Sequence, residues 1–242
     1  MVPIIFLIAL LYAAVGHAGA SGYIAVMTLF HHSPLVVKPT ALLLNIFVAS
    51  VATWQFMGAG YFSWRLFWPL ALGSVPFAFL GGSMMLSAGI YKQVVGVVLL
   101  YVVFRIFLDC RRSKMNSGAT FVRLPHTGLA LAGGALLGFF SGLIGVGGGI
   151  FLTPIILLAR WADMKTAAGV SAAFILVNSC SGLFGFLQKG EIPSIAFWLI
   201  PAALSGGYLG AFLGSRKMPV LALRMMLGVV LVLAAGKFIL KL

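Results

Sequence analysis

The residues of this chain best suited to chemistry are glycines. In GLIGVGGGIF, residues 142–151, five glycines interrupt an apolar run that otherwise reads as a membrane helix. Glycine costs a helix interior about 1 kcal/mol relative to alanine, so a cluster of them at that depth must serve something else. A half-helix that starts at such a break presents unpaired backbone N–H groups and the positive end of its dipole. Such an end accepts an anion without burying a formal charge, and glycine keeps side chains out of the way. Gly145, Val146, Gly147, Gly148 and Gly149 are therefore candidate substrate ligands. An earlier stretch, GHAGASG at 16–22, offers Gly19, Ser21 and Gly22, with His17 placed either to cap a half-helix or to contact and protonate a bound group.

The polar inventory agrees with an anion. Asp109, Asp163 and Glu191 are the three acids, and all fall in connections between apolar segments. No carboxylate is left inside to hold a cation or relay a proton, which argues against a cation or metal carrier. Near the breaks or on adjoining segments lie Asn45, Thr53, Gln55, Ser141, Ser171, Asn178 and Ser181, neutral donors suited to oxyanion oxygens. The competing reading is that these residues bond one helix to another. Gly81, Gly82, Gly206, Gly207 and Gly210 read as packing positions for close helix approach. Cys110 and Cys180 give neither a metal spacing nor a disulfide framework, and Cys180 reads as a small buried hydrophobe. His31 and His32 beside Ser33-Pro34 mark an interfacial loop. No metal site, no cofactor and no enzyme is expected, because no nucleophile, base and orienting acid can be assembled.

The elements that must position these groups are helical. The chain has 242 residues, 62% of them hydrophobic and 8% charged. Apolar runs at 3–30, 39–57, 64–87, 91–108, 127–159, 166–187, 193–214 and 220–240 make it an all-α, polytopic integral membrane protein, with the lipid bilayer as its solvent. Its formal charge of +13 is spread over short connections rather than a basic domain, so nucleic acid is not an expected partner. No cation precedes the first apolar core, and the N-terminus is taken as part of the mature fold rather than a signal peptide.

The eight runs divide into two repeats, 1–108 and 127–242, joined by a basic linker at 109–126 that is expected to be cytoplasmic. Gly16, Gly19 and Gly22 precede Gly142, Gly145 and Gly148 by 126 residues each, and Trp68 precedes Trp198 by 130. Gly96 and Arg105 precede Gly228 and Lys237 by 132. Runs 3–30 and 127–159 are too long for simple crossings, since about 30 helical residues reach about 45 Å against a hydrocarbon core near 30 Å. Each is expected to re-enter at its glycines. With eight full crossings the cations divide nine against seven. With two re-entrant runs they divide eleven (Arg65, Arg105, Arg111, Arg112, Lys114, Arg123, Arg160, Lys165, Arg216, Lys217, Arg224) against five (Lys38, Lys92, Lys189, Lys237, Lys241). That bias obeys the positive-inside rule and makes the repeats inverted, with both termini outside.

At this point the residues resemble a known family. GALLGFFSGLIGVGGGIFLTPIILL at 134–158 is similar to the glycine-rich signature of the TauE/SafE family of sulfite exporters, and KPTALLLN at 38 and AAGVSAAFILVN at 167 resemble its next helices. GHAGASGYIAVM resembles the first, degenerate copy, departing from the second by His17, Ala18 and Ala20 where Leu143, Ile144 and Val146 stand. The resemblance implies a bacterial inner-membrane secondary transporter whose substrate is a small sulfur oxyanion such as sulfite, a sulfonate or thiosulfate, working as an exporter by alternating access. An anion channel and a membrane assembly subunit that moves nothing stay open as alternatives, as does a homo-oligomer.

Overall fold

The computed structural model describes residues 1–84 and 124–219, with Ala222, Leu223 and Met225 beyond them. The apolar runs at 91–108 and 220–240, Cys110 and nearly all of the basic linker lie outside the described residues. Among the described residues the regular structure is helical: α1 (Val2–Ala14), α2 (Ala20–Leu29), α3 (Pro34–Gly58), α4 (Trp64–Ser83), α5 (Thr127–Ile144), α6 (Gly149–Leu158), α7 (Met164–Phe186) and α8 (Ser194–Phe212), the last running into a π-helical turn at Leu213–Lys217. The long runs at the start of each half are each broken in two, as their length requires. The chain is a multi-pass membrane protein, with five of these helices long and apolar enough to cross a bilayer.

Local sequence sets the ends. Ser33-Pro34 opens α3 with proline in the first turn, where its missing N–H costs nothing. The Asp163 carboxylate caps α7 by accepting from Lys165 N at 3.0 Å and Thr166 N at 3.1 Å. Large apolar side chains face outward in numbers no water-soluble surface would carry, among them Trp54, Trp68, Phe184 and Trp198. Trp64 stacks on Trp68 with ring centroids 5.8 Å apart and meets Phe62 edge-on, forming an aromatic cluster suited to an interface.

Close contacts fix the directions. Gly134, Gly138 and Gly142 of α5 face Leu70, Ser74 and Ala78 of α4, so these helices run parallel with backbones touching. Gly206, Gly210 and Gly214 face Phe6, Leu10 and Ala14 in the same way, so α8 runs parallel to α1. Each half's broken run thus lies against the other half's helix. Gly81, Gly82, Gly206, Gly207 and Gly210 all sit where an added Cβ would strike a neighbour, so the packing reading holds for each.

Helix α7 serves as a ruler for the second break. Ser181 bonds to Val75 and Gly185 faces Phe79, so α7 runs parallel to α4 and therefore to α5. Beyond Gly142, which lies beside Gly182, Gly149 lies beside Ile175 and Thr153 bonds to Ser171, so the chain comes back along α7 once past the glycines. The α5–α6 run therefore turns round instead of continuing. In the first half, Gly22 returns to Ile8 and Ser21 to Tyr12, so α2 folds back on α1. The α1–α2 hairpin leads into α3 at the end that holds Lys38 and the last residue of α7, Phe186. The α5–α6 hairpin leads into α7 at the opposite end, where Lys165 Nζ donates to Ser215 O at 3.3 Å and lies over the Tyr61 ring.

The halves correspond at a different spacing from the one the glycines suggest. Left-handed Gly16, Gly19 and His31 recur as Gly145, Gly148 and Arg160, each 129 residues on. His17 N donates to Tyr12 O as Val146 N donates to Ser141 O, again at 129. The glycine match at 126 is off by about one helical turn because Gly142 is a packing glycine against Ala78, not a turn glycine. His17 consequently stands opposite Val146, and Ala18 opposite Gly147.

Candidate anion-binding site

The second break is the richer of the two. Gly145, Gly147 and Gly148 have φ of 85°, 78° and 81°, a backbone region that residues with side chains seldom adopt. Gly145 N and Val146 N both turn back to Ser141 O, at 2.8 and 3.2 Å. The next four amides, those of Gly147, Gly148, Gly149 and Ile150, are buried and make no hydrogen bond with the described residues. Four consecutive N–H groups at the start of α6 thus form a concave set of donors, a backbone nest for negative charge.

Side chains converge on it. Asn45 Nδ2 donates to Val146 O at 3.3 Å and to Ser179 Oγ at 3.4 Å. A Cβ placed on Gly147 would sit 2.9 Å from both Asn45 Nδ2 and Ser179 Oγ, so only glycine permits this close approach. Ser141 Oγ and Asn45 Oδ1 are buried without a partner, and so is Asn178 Oδ1, whose Nδ2 bonds to Phe174 O at 2.9 Å. Buried polar groups left unpaired cost about 1–3 kcal/mol each; of these three the Ser141 hydroxyl can donate to a ligand, whereas the Asn45 and Asn178 oxygens are acceptors.

The first break repeats the backbone but not the side chains. The amides of Ala18, Gly19, Ala20 and Ser21, equivalent to the four above, are also buried and make no hydrogen bond with the described residues. Gly19 faces the Tyr23 ring and Ile8, Tyr23 OH donates to Ala18 O at 2.6 Å, and Ser21 Oγ donates to Tyr12 OH at 3.0 Å. Gly22 packs on Ile8. His17 instead points across to the other hairpin, its Nε2 2.9 Å from Thr153 Oγ1, which lies 2.7 Å from Ser171 Oγ. His17 Nδ1 is buried without a partner. Thr153 Oγ1 donates its hydrogen to Ser171 Oγ, so His17 Nε2 donates to Thr153 Oγ1 and Nδ1 is left as an acceptor.

The residues singled out from sequence therefore fall into groups. Ser141, Asn45 and Gly145 to Gly149 assemble around the second break, with Ser171 linking it to His17 through Thr153. Gly19, Ser21 and Gly22 sit inside the first hairpin, and Asn178 bonds within α7. Thr53 Oγ1 is buried and unpaired, and Ser181 Oγ bonds to Val75 O at 2.6 Å. Three residues escaped the sequence reading. Thr153 lies one turn beyond the glycines in FLTP, and Ser179 stands next to Asn178. Lys38, counted there as a flanking cation, is instead buried, with its ammonium on the carbonyls that end α4. Its signal was a charge within the first two turns of an apolar helix.

A bundle of apolar helices with two hairpins entering from opposite ends, each turning at a buried amide nest, is the architecture of a membrane transporter. The family comparison agrees: the model described as "Sulfite exporter TauE/SafE" matches residues 1–238, and the chain belongs to that family. A probable membrane transporter protein, y4hK, of Sinorhizobium fredii is 40% identical over 97% of this chain and 95% of its own length. The probable membrane transporter protein YunE of Bacillus subtilis is 24% identical over 86% and 81%, and a probable membrane transporter protein of Haemophilus influenzae is 26% identical over 91% and 90%. No solved structure matches.

Proposed function

We propose that this transporter moves a small sulfur oxyanion, sulfite or a related sulfonate or thiosulfate, outward across a bacterial inner membrane by alternating access. The observation that carries the reading is the row of amides from Gly147 to Ile150, with the Ser141 hydroxyl beside it, none of which has a partner among the described residues. An oxyanion presents several acceptor oxygens at once, which a row of fixed donors satisfies and a cation cannot use. The family description names sulfite export, and the sulfur class rests on that description.

The two hairpins are read as halves of an inverted repeat, with the N-terminus on the periplasmic side, and rocking of one half against the other exposes the nest to each side in turn. The glycine contacts between α4 and α5 and between α1 and α8 supply flat surfaces on which whole helices shift as units. With the cell interior negative, an anion gains about 2.3 kcal/mol per charge per 100 mV on leaving, so export needs no coupled ion. Proteoliposomes loaded with sulfite and given an imposed potential test this. Saturable efflux that follows the potential and shows counterflow supports the reading. Efflux that ignores potential but follows a pH gradient replaces uniport with proton coupling through His17. Flux that does not saturate indicates a channel.

A further inference from the structure

Lys38 is the only buried charged side chain among the described residues, 5% exposed. Its Nζ donates to the carbonyls of Gly81 at 3.3 Å, Gly82 at 2.9 Å and Met84 at 3.1 Å, which uses its three hydrogens on the C-terminal end of α4. Those carbonyl dipoles solvate the ammonium, but they do not cancel its charge. No carboxylate pairs with it among the described residues. Asp163, capping the first turn of α7, is at the other end of that helix from Phe186, whose ring lies 5.8 Å from Lys38 Nζ. Glu191, beyond Phe186, is exposed and makes no ion pair with Lys38. A buried cation left without an anion is costly, so a compensating negative charge is the missing partner. The stem of Lys38 runs along the second break: a Cβ on Gly145 would lie 3.0 Å from Lys38 Cγ. The amides without a partner among the described residues begin two residues later, at Gly147.

We propose that Lys38 is the fixed countercharge of the anion site, a specificity-determining residue that sets the preference for doubly over singly charged oxyanions. The proposal rests on the anion reading of the break. The amides supply direct hydrogen bonds, and Lys38 supplies a longer-range attraction in proportion to ligand charge. At an effective dielectric near 20, two unit charges about 10 Å apart interact strongly enough to change affinity about tenfold. The second charge of a dianion therefore has a measurable value. A purely structural lysine, tying α4 to α3, would affect both kinds of anion alike.

The test is calorimetric titration of the full-length protein in nanodiscs with sulfate as dianion and methanesulfonate as monoanion. It is run on wild type, Lys38→Met, Lys38→Gln and Lys38→Arg. The readout is the ratio of the two affinities within one preparation, which does not depend on the fraction correctly folded. The expected result is a fall of about tenfold in the dianion-to-monoanion ratio for Lys38→Met, with Lys38→Gln behaving the same should the methionine variant not fold. Lys38→Arg is expected to keep the ratio. An unchanged ratio in the neutral variants overturns the countercharge, and so does an equal fall in Lys38→Arg, which would assign the effect to shape. Wild type that binds neither ion would instead overturn the anion reading itself, and this proposal with it.

Discussion

His17 Nε2 lies 2.9 Å from Thr153 Oγ1, across 136 positions of sequence, and this contact ties the first break to the arm that leaves the second. Thr153 in turn meets Ser171 on α7, so a histidine and two hydroxyls bridge three elements through a buried interior. Replacing Thr153 by valine keeps the volume and removes the middle of the bridge, leaving His17 Nε2 and Ser171 Oγ without partners. The expected loss is about 1–3 kcal/mol of stability. In a double-mutant cycle with His17→Ala the two losses should fall short of additive by about 0.5–3 kcal/mol. Denaturant unfolding of the purified variants reads both, and strict additivity would mean that the contact carries no energy.

Close backbone contact between α4 and α5 makes a second prediction from two glycines on one helix. A Cβ on Gly138 would land on the Ser74 backbone, which cannot move aside as a flexible side chain would. Gly133, five residues earlier, has nothing within 4 Å of the same position. Gly138→Ala should therefore destabilise by more than about 2 kcal/mol, through overpacking against main chain. Gly133→Ala should be neutral or stabilise by up to about 1 kcal/mol, the ordinary helix preference of alanine over glycine. Thermal unfolding decides, and equal effects would mean that the helices are not in contact there.

Much of this was legible in the sequence because it depends on length and period. The broken runs follow from 3–30 and 127–159 being too long for the bilayer, and their turning points from the glycine clusters. The correspondence of the halves was visible only in outline. Gly142 serves helix contact and Gly145 serves the turn, and both are simply glycine in the sequence, so the match slid by about a turn. Asn45 and Ser141 were picked as donors near a break, but their convergence on Val146 and Gly148 depends on how α3 and α5 pack, which no local pattern encodes. Lys38 was misplaced for the opposite reason. A cation near a helix end normally lies in the headgroup region, and only the carbonyl end of α4, more than 40 residues away, draws this one inward.

The nest itself can be tested with a strain-matched pair. Gly147 and Gly60 share a left-handed backbone, with φ of 78° and 81°. An alanine at either pays the same conformational penalty, about 1–2 kcal/mol. Only at Gly147 does the new methyl enter the cradle, meeting Ile175, Asn45 and Ser179, whereas at Gly60 it meets nothing within 4 Å. Thermal shift with sulfite or sulfate should thus show a ligand-induced rise for Gly60→Ala close to that of wild type, and none for Gly147→Ala. A normal ligand shift in Gly147→Ala would place the anion elsewhere.

Asn45 separates hydrogen bonding from charge at the same place. Its Nδ2 donates to Val146 O and Ser179 Oγ, which fixes the carbonyl that immediately precedes the amides left without a partner among the described residues. Asn45→Leu and Asn45→Asp each remove that donor, and each should cost about 1–3 kcal/mol of stability by leaving Val146 O unpaired. Their effects on ligand should differ. The leucine only loosens the nest, whereas an ionised aspartate adds a negative charge beside the amides and opposes an anion directly. The affinity for sulfate should fall at least about tenfold further in Asn45→Asp than in Asn45→Leu, a difference of about 1.4 kcal/mol. Acidification should narrow the gap as the introduced carboxylate takes up a proton, because the neutral acid no longer repels the ligand. Titration of both variants at two pH values measures this directly. Equal affinities at neutral pH would show that Asn45 lies outside the field of the bound anion.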